Sequence, residues 1–179
     1  MASLEREIFN PRTRQRMKFI ELRPELLRIE SSNPATAERE PVHVHPKQTS
    51  GAEVTSGSLT FEIEGSERRV AAGESISVPP DTPHRFWNSG NETARSIQFF
   101  EPALETAAFF ETLFALAADG KVDSKGMPHL LQLAVMVPEF ANEIRPVSPP
   151  WPVLRALAAV LTPLARARGY QSRIQAVAA

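Results

Sequence analysis

The sequence predicts a mainly β fold, a jelly-roll barrel followed by C-terminal α-helices. Between residues 16 and 101, short segments of strand-like composition are separated by clusters of Gly, Pro, Asn or Ser, as in an all-β sandwich or barrel. The clearest segment, residues 59–64, alternates apolar and polar side chains, which is the pattern of a strand with one buried face. After Pro102, apolar residues recur at helical spacing instead. About eight strands followed by helices match a jelly roll with a helical extension.

The strand signals are short and evenly distributed. We predict strands over residues 26–30, 42–45, 52–55, 59–64, 67–70, 75–78, 84–88 and 95–100. Gly65-Ser66 is predicted to turn one strand into the next as a hairpin. Nearer the N-terminus, Met17 and Phe19 alternate with charged residues, which suits one side of a further strand.

Three helices are predicted after the strands. The first covers residues 103–119 and ends at Gly120, because glycine favours the conformation that follows a helix. The second covers residues 130–137 and is expected to end at Pro138, which cannot donate a backbone hydrogen bond.

The third predicted helix covers residues 152–168. Pro152 suits its first turn, Pro163 is expected to kink it, and Gly169 is expected to end it. We expect these helices to cover a face of the barrel or to mediate self-association.

We divide the chain into two parts. Residues 1–102 are expected to form the barrel with its N-terminal strand, and residues 103–179 a helical extension that packs on the barrel or lies at a dimer interface. A homodimer is expected because the edges of a β-rich barrel and an apolar tail both favour pairing.

The composition excludes several classes of function. A chain of 179 residues suits one domain of ordinary size, and the absence of cysteine excludes disulfides and thiolate metal ligands. A formal net charge of -1 gives no reason to expect a nucleic-acid partner. Because no apolar stretch approaches the roughly 20 residues of a membrane span, we expect a soluble, cytoplasmic protein.

Two histidines carry the first chemical signal. His43 and His45 are separated by one residue, so both imidazoles point to the same face of a strand, a few ångströms apart. That spacing supports metal chelation. Taken alone, the pair is equally consistent with two surface histidines on an exposed strand.

A second segment makes a family resemblance specific. Gly73, five residues, Pro79, four residues, His84, three residues and Asn88 form a pattern very similar to the second conserved motif of the cupin family. The His43-Val44-His45 unit, followed by Gly57, resembles the first motif.

The resemblance implies a site as well as a fold. In that family the two motifs are paired strands that line one end of a jelly-roll barrel, and their histidines converge on one divalent metal. Carried over to this chain, His43, His45 and His84 become the ligands and Asn88 a supporting residue. Phe61, Phe86 and Asn88 are predicted to line the pocket, although Phe86 is equally well explained as a core residue.

The chain departs from the family pattern at one ligand. The family's glutamate corresponds to Ser50, which has no carboxylate, so we name Gln48 and Ser50 as candidate additional ligands. Glu53 is expected to face the opposite side of the strand, because it lies three positions past Ser50. Three imidazoles still suit Fe²⁺, Ni²⁺, Cu²⁺ or Zn²⁺.

Two functions remain open at this point. The first is a metal-dependent enzyme with oxygenase or isomerase chemistry on a small molecule, as the resemblance implies. The second is a non-catalytic protein whose barrel binds a small molecule with weak or no metal. A third hypothesis, in which the helices dock the barrel to a partner, has less support. No catalytic residue can be assigned from the sequence.

Overall fold

The computed structural model describes residues 6–124 and 126–175. In chain order, the strands of these ranges are β1 (Arg6–Phe9), β2 (Arg16–Arg23), β3 (Leu26–Asn33), β4 (His43–Val44), β5 (Thr49–Ser56), β6 (Ser58–Ile63), β7 (Ser66–Ala71), β8 (Ser75–Val78), β9 (His84–Trp87), β10 (Ala94–Glu101) and β11 (Arg145–Pro146). The helices are α1 (Thr106–Ala118), α2 (Leu130–Glu139) and α3 (Trp151–Ala167).

The strands form two antiparallel sheets. In the described ranges, the first sheet has six strands in the order β1-β2-β3-β10-β5-β8, and the second has five in the order β11-β4-β9-β6-β7. Strands distant in sequence are therefore neighbours: β10 lies between β3 and β5, and β9 between β4 and β6. This interleaving is typical of a jelly roll, and the mainly β prediction is confirmed.

The core lies between the two sheets. Every second residue of β5 and β6 points inward, and these side chains meet in one apolar cluster contributed by both sheets. Its buried members are Ala52, Val54, Leu59, Phe61, Val70, Ile76 and Ala94. Because one cluster contains side chains from both sheets, the sheets enclose a common interior.

A second cluster joins the barrel to the first helix. Phe114 of α1 is buried among the inward side chains of β1, β2, β3 and β10, with Phe110 and Leu113 packed beside it. The strand members of this cluster are Ile8, Met17, Phe19, Leu27, Ile29 and Phe100. Helix α1 therefore covers the part of the first sheet that includes β1 and β2.

The predicted strands are found, with one shifted turn and two additions. All eight segments coincide with β3 to β10, and the strand expected around Met17 is β2. The hairpin between β6 and β7 turns at Glu64 and Gly65, whose φ angles are 50° and 80°, one residue earlier than predicted. A two-residue turn of this kind needs positive φ at both positions, which fits the right-handed twist of the strands. Strands β1 and β11 were not predicted.

The three predicted helices are also found, but the expected end of the second is wrong. Helix α2 continues through Pro138 to Glu139. The backbone carbonyl of Ala134, which Pro138 leaves without its helical donor, accepts a hydrogen bond from Thr162 Oγ1 of α3 at 2.8 Å. This contact between helices replaces the missing bond. No helix in the described part of the chain is long and apolar enough to cross a membrane.

Candidate metal centre

The three predicted histidines meet at one end of the barrel. Strand β4 pairs with β9 through His43 and His84, which lie directly opposite each other. The ring centroids of His43 and His84 are 4.6 Å apart, and that of His45 lies 5.1 Å from His43 and 5.2 Å from His84. One ring nitrogen of each residue lies within 4.8 Å of the other two. The sequence prediction that these side chains converge is therefore correct.

Backbone carbonyls fix the tautomer of all three rings. Nδ1 of His43 lies 3.1 Å from the carbonyl oxygen of Pro41, and Nδ1 of His84 lies 2.8 Å from that of Thr82. Nδ1 of His45 lies 2.6 Å from the carbonyl oxygen of Glu143. Since a carbonyl only accepts, each Nδ1 donates its hydrogen. Nε2 of each ring is then left with a free lone pair, as a metal ligand requires.

Burial keeps these imidazoles neutral. His45 and His84 are only 7% and 4% exposed, and loss of hydration lowers the pKa of all three histidines. Desolvation, together with the neighbouring His43 and His84, lowers the pKa of His45 to about 3. The cluster is therefore unprotonated at neutral pH, which is the form that binds metal.

The donor set fits a transition metal. Three neutral imidazole nitrogens, from β4, the residue that follows it and β9, suit Zn²⁺, Cu²⁺, Fe²⁺ or Ni²⁺. Three protein ligands leave coordination positions open for water or a substrate, as catalytic metal sites do.

Ser50 lies where the family pattern has its glutamate. It is buried, and on β5 it lies opposite Phe100 of β10. The ring of Phe100 in turn contacts His45, with centroids 5.4 Å apart. The position is thus close to the histidines and carries a hydroxyl group. Its role as an additional ligand stays a prediction.

Gln48 is completely buried and fixed in orientation. Its amide nitrogen donates to the carbonyl oxygens of Pro102 and Ala103, at 2.7 and 3.1 Å, and to Thr106 Oγ1 at 2.8 Å. The opposite atom, Oε1, is buried and has no hydrogen-bond partner among the described residues. The side-chain oxygen of Gln48 is therefore left without a hydrogen-bond donor. Its role as an additional metal ligand stays a prediction.

The predicted pocket residues differ in what they contact. Phe61 and Phe86 stack at 5.3 Å between centroids, and their registry on β6 and β9 places Phe86 on the face of His84. Asn88 instead holds the following loop: its Nδ2 donates to the carbonyl oxygens of Asn33 and Glu92, and its Oδ1 accepts from the backbone of Gly90. A supporting role fits these contacts, and a pocket role for Asn88 stays a prediction.

Sequence reasoning missed two contributors to the site. The carbonyl of Glu143 orients His45 from 98 positions away, because β11 returns the C-terminal part of the chain to β4. No local pattern signals such a contact. The second is Glu40, whose carboxylate accepts a hydrogen bond at 3.3 Å from the backbone N–H of Phe86, two positions after His84. The sequence feature that could have indicated this residue is a carboxylate three positions before His43. Glu53, by contrast, is exposed and pairs with Arg28 at 3.2 Å, as its strand position predicted.

Two curated relatives of this chain are distant and longer. An oxidoreductase of Arthrobotrys oligospora is 27% identical over 124 residues, which are 65% of this chain and 47% of that protein. The oxidoreductase macE of Penicillium terrestre is 31% identical over 75 residues, which are 41% of this chain and 29% of that protein. The chain thus spans less than half the length of these curated relatives.

The family comparison and a solved structure agree on the barrel. Residues 33–100 match the profile of the cupin domain. An RmlC-like cupin from Shewanella frigidimarina superposes with a TM-score of 0.50 at 23% sequence identity, covering 57% of this chain and 89% of that one. Both histidine motifs lie inside the matched range, and we identify residues 33–100 as a cupin domain.

Proposed function

We propose that this protein binds a divalent transition metal, Fe²⁺, Ni²⁺, Cu²⁺ or Zn²⁺, through Nε2 of His43, His45 and His84. We further propose that it uses the metal in oxygenase or isomerase chemistry on a small molecule. The observation that carries the proposal is the set of three Nδ1-to-carbonyl contacts, which leaves three lone pairs in one buried place. Isolated surface histidines have no need of such orientation.

The surroundings of the histidines support a catalytic centre. When bound, the metal would act as a Lewis acid and, for iron or copper, as a redox centre. The protein's own residues would orient the ligands through backbone carbonyls and exclude water with Phe61, Phe86 and Phe100. The names of the two oxidoreductases favour redox chemistry, although each is a longer protein.

Elemental analysis tests the metal site. Protein purified without an affinity tag or chelator, and then reconstituted, should contain close to one metal ion per chain. The double variant His43→Ala, His84→Ala should lose it while remaining folded by circular dichroism. The control is His129→Ala, because His129 is exposed at the start of α2 and lies outside the cluster. Wild-type metal content in the double variant would refute the assignment.

A non-catalytic binding protein is the second candidate. The observation in its favour is Ser50, which leaves the position of the family carboxylate without a negative charge. On this alternative, reconstituted protein binds a small molecule without needing metal. Ligand screening by thermal shift, with and without chelator, distinguishes the two: stabilisation that persists in chelator favours the binding protein.

We also propose that the protein forms a homodimer through α3. Four apolar side chains of this helix, Val153, Leu157, Val160 and Leu164, are 57, 42, 74 and 44% exposed. Their spacing of four, three and four residues forms a narrow stripe that suits a second helix. Sedimentation equilibrium should show a dimer that the variant Leu157→Glu, Val160→Glu dissociates, whereas Arg95→Glu on the barrel should not. The expected cytoplasmic location stays a prediction.

A further inference from the structure

A row of buried polar side chains crosses the inward face of the first sheet, and we call it the polar seam. Its members are Ser31 and Asn33 of β3 and Ser96 and Gln98 of β10, which are 1, 3, 0 and 4% exposed. Along β10 the seam lies between Phe100 of one apolar cluster and Ala94 of the other. Because alternate residues of a strand face the same side, Ser96 and Gln98 share the face on which Phe100 contacts His45.

The hydrogen bonds of the seam leave one hydroxyl group unpaired. The side-chain amides of Gln98 and Asn33 donate to Ser31 Oγ, at 3.2 and 3.3 Å. Ser96 lies directly opposite Ser31 in the pairing of β3 with β10, yet its Oγ is buried and has no hydrogen-bond partner among the described residues. A buried hydroxyl is unfavourable in this state, so a molecule that pairs with it gains affinity.

The backbone beside Ser96 is irregular as well. The register between β10 and β5 shifts at this point, because Arg95 pairs with Ser56 whereas Ser96 pairs with Val54. Thr55 is therefore an extra residue on β5, which is the definition of a β-bulge. Bulges are frequent next to functional sites, where they change the direction of a side chain. The bulge and the unpaired hydroxyl occur at the same residue.

The rest of the barrel interior is apolar and uncharged. On the second sheet, the inward rings of Phe61 and Phe86 stack with centroids 5.3 Å apart. In β3, β5, β6, β8, β9 and β10, no inward-facing residue is Asp, Glu, Lys or Arg. A charged group bound along the seam would be buried without a counter-ion, at a large cost. The interior therefore suits an uncharged molecule that has an aromatic surface and a few oxygen atoms.

We propose that the polar seam binds hydroxyl or carbonyl oxygens of an uncharged aromatic substrate, and that Ser96 is the residue that recognises them. The inference rests on the proposed function and gives its small molecule a chemical class. Alternate residues of a strand are about 7 Å apart, so Gln98 lies one such step, and Ser96 two steps, from Phe100 beside His45. A compound of two fused rings has the length needed to reach the seam from the histidine end.

Calorimetric titration of the Co²⁺-loaded protein tests the seam. The probe is 2,7-dihydroxynaphthalene, and the comparison ligand is naphthalene, which has the same rings without oxygen. Ser96→Ala should weaken binding of the probe about tenfold and leave binding of naphthalene unchanged, because only the probe can pair with the hydroxyl. Ser77→Ala, a matched control on the exposed face of β8, should bind both as the wild type does. The charged ligand 2-naphthoate should bind the wild type more weakly than the probe.

Thermal melting separates recognition from a structural role. Without ligand, Ser96→Ala should melt at the wild-type temperature or slightly above it, because the substitution removes an unpaired buried hydroxyl. A clearly lower melting temperature would show that the hydroxyl serves the fold, and the inference would be wrong. Failure of the wild type to bind the probe, or equal affinity in Ser96→Ala, also overturns it and leaves the metal site standing. A protein that takes up no Co²⁺ overturns both proposals.

Discussion

The barrel and the C-terminal segment that follows it contribute to the site in different ways. The barrel carries all three histidines and most of the buried core. The C-terminal segment is divided: α1 is packed into the barrel and β11 extends its second sheet, whereas α3 buries only Ala158 and Ala165. The C-terminal elements that support the site are therefore those that pack against the barrel, α1 and β11.

The largest expected effect tests whether α1 belongs to the barrel core. Phe114→Ala should destabilise the protein by about 3–5 kcal/mol, because the side chain is 2% exposed and its removal leaves a cavity among strand residues. Urea unfolding followed by circular dichroism measures the loss. A loss below about 1 kcal/mol would mean that α1 is only loosely attached.

The next effect concerns the barrel's histidines alone. Because burial lowers the pKa of His45 from 6.5 to about 3, the unfolded chain binds a proton that the folded chain does not below pH 6.5. The stability that neutral His45 provides above pH 6.5 is thus lost as the pH falls. The loss amounts to about 2 kcal/mol by about pH 5. His43 and His84 act in the same direction.

The raised pKa of Glu40, an effect of desolvation, changes stability with pH in the opposite direction, but it does not reverse this trend. Its raised pKa makes the folded state lose stability as the pH rises toward 7, but one carboxyl group opposes three imidazoles. Urea unfolding of metal-free protein at about pH 7 and about pH 5 measures the net slope. A His45→Asn variant should show a shallower dependence, and an unchanged slope would argue against buried neutral His45.

A smaller effect tests the link between the two regions. The side chain of Glu143 accepts the backbone N–H of Glu105 at 3.2 Å, next to α1, while its carbonyl orients His45. Glu143→Ala should loosen this connection and weaken Co²⁺ binding about tenfold, whereas Glu143→Gln retains the accepting oxygen and should have less effect. Equal affinities in all three proteins would show that β11 alone fixes the carbonyl.

The smallest expected effect is on α3. Val160→Ala should change the free energy of unfolding of the monomer by less than about 0.5 kcal/mol, because the side chain is 74% exposed. Dilution to concentrations at which the protein is monomeric separates this effect from the proposed dimer contact. A large loss in the monomer would mean that α3 is packed more tightly than its exposure indicates.

Elements defined by a local pattern were predicted correctly, whereas elements defined by distant contacts were not. Strands such as β6 were predictable because their core-facing apolar side chains, here Leu59 and Phe61, recur at every second position of the sequence. The end of α2 was not, because the contact that lets the helix pass Pro138 comes from Thr162, on another helix. Strand β11 has two residues and no period, so it is defined only by its partner, β4.

The barrel, the helices and the three clustered histidines were all predictable from local sequence patterns. Spacing of one residue places His43 and His45 on one face, and the second motif adds His84. The folded structure was needed to show which ring nitrogen of each histidine is free, because the carbonyls that fix Nδ1 include that of the distant Glu143. It alone also brought the carboxylate of Glu40 to the backbone N–H of Phe86 on β9. Periodicity reports which face of an element is buried, whereas a contact between distant segments depends on how the whole chain packs.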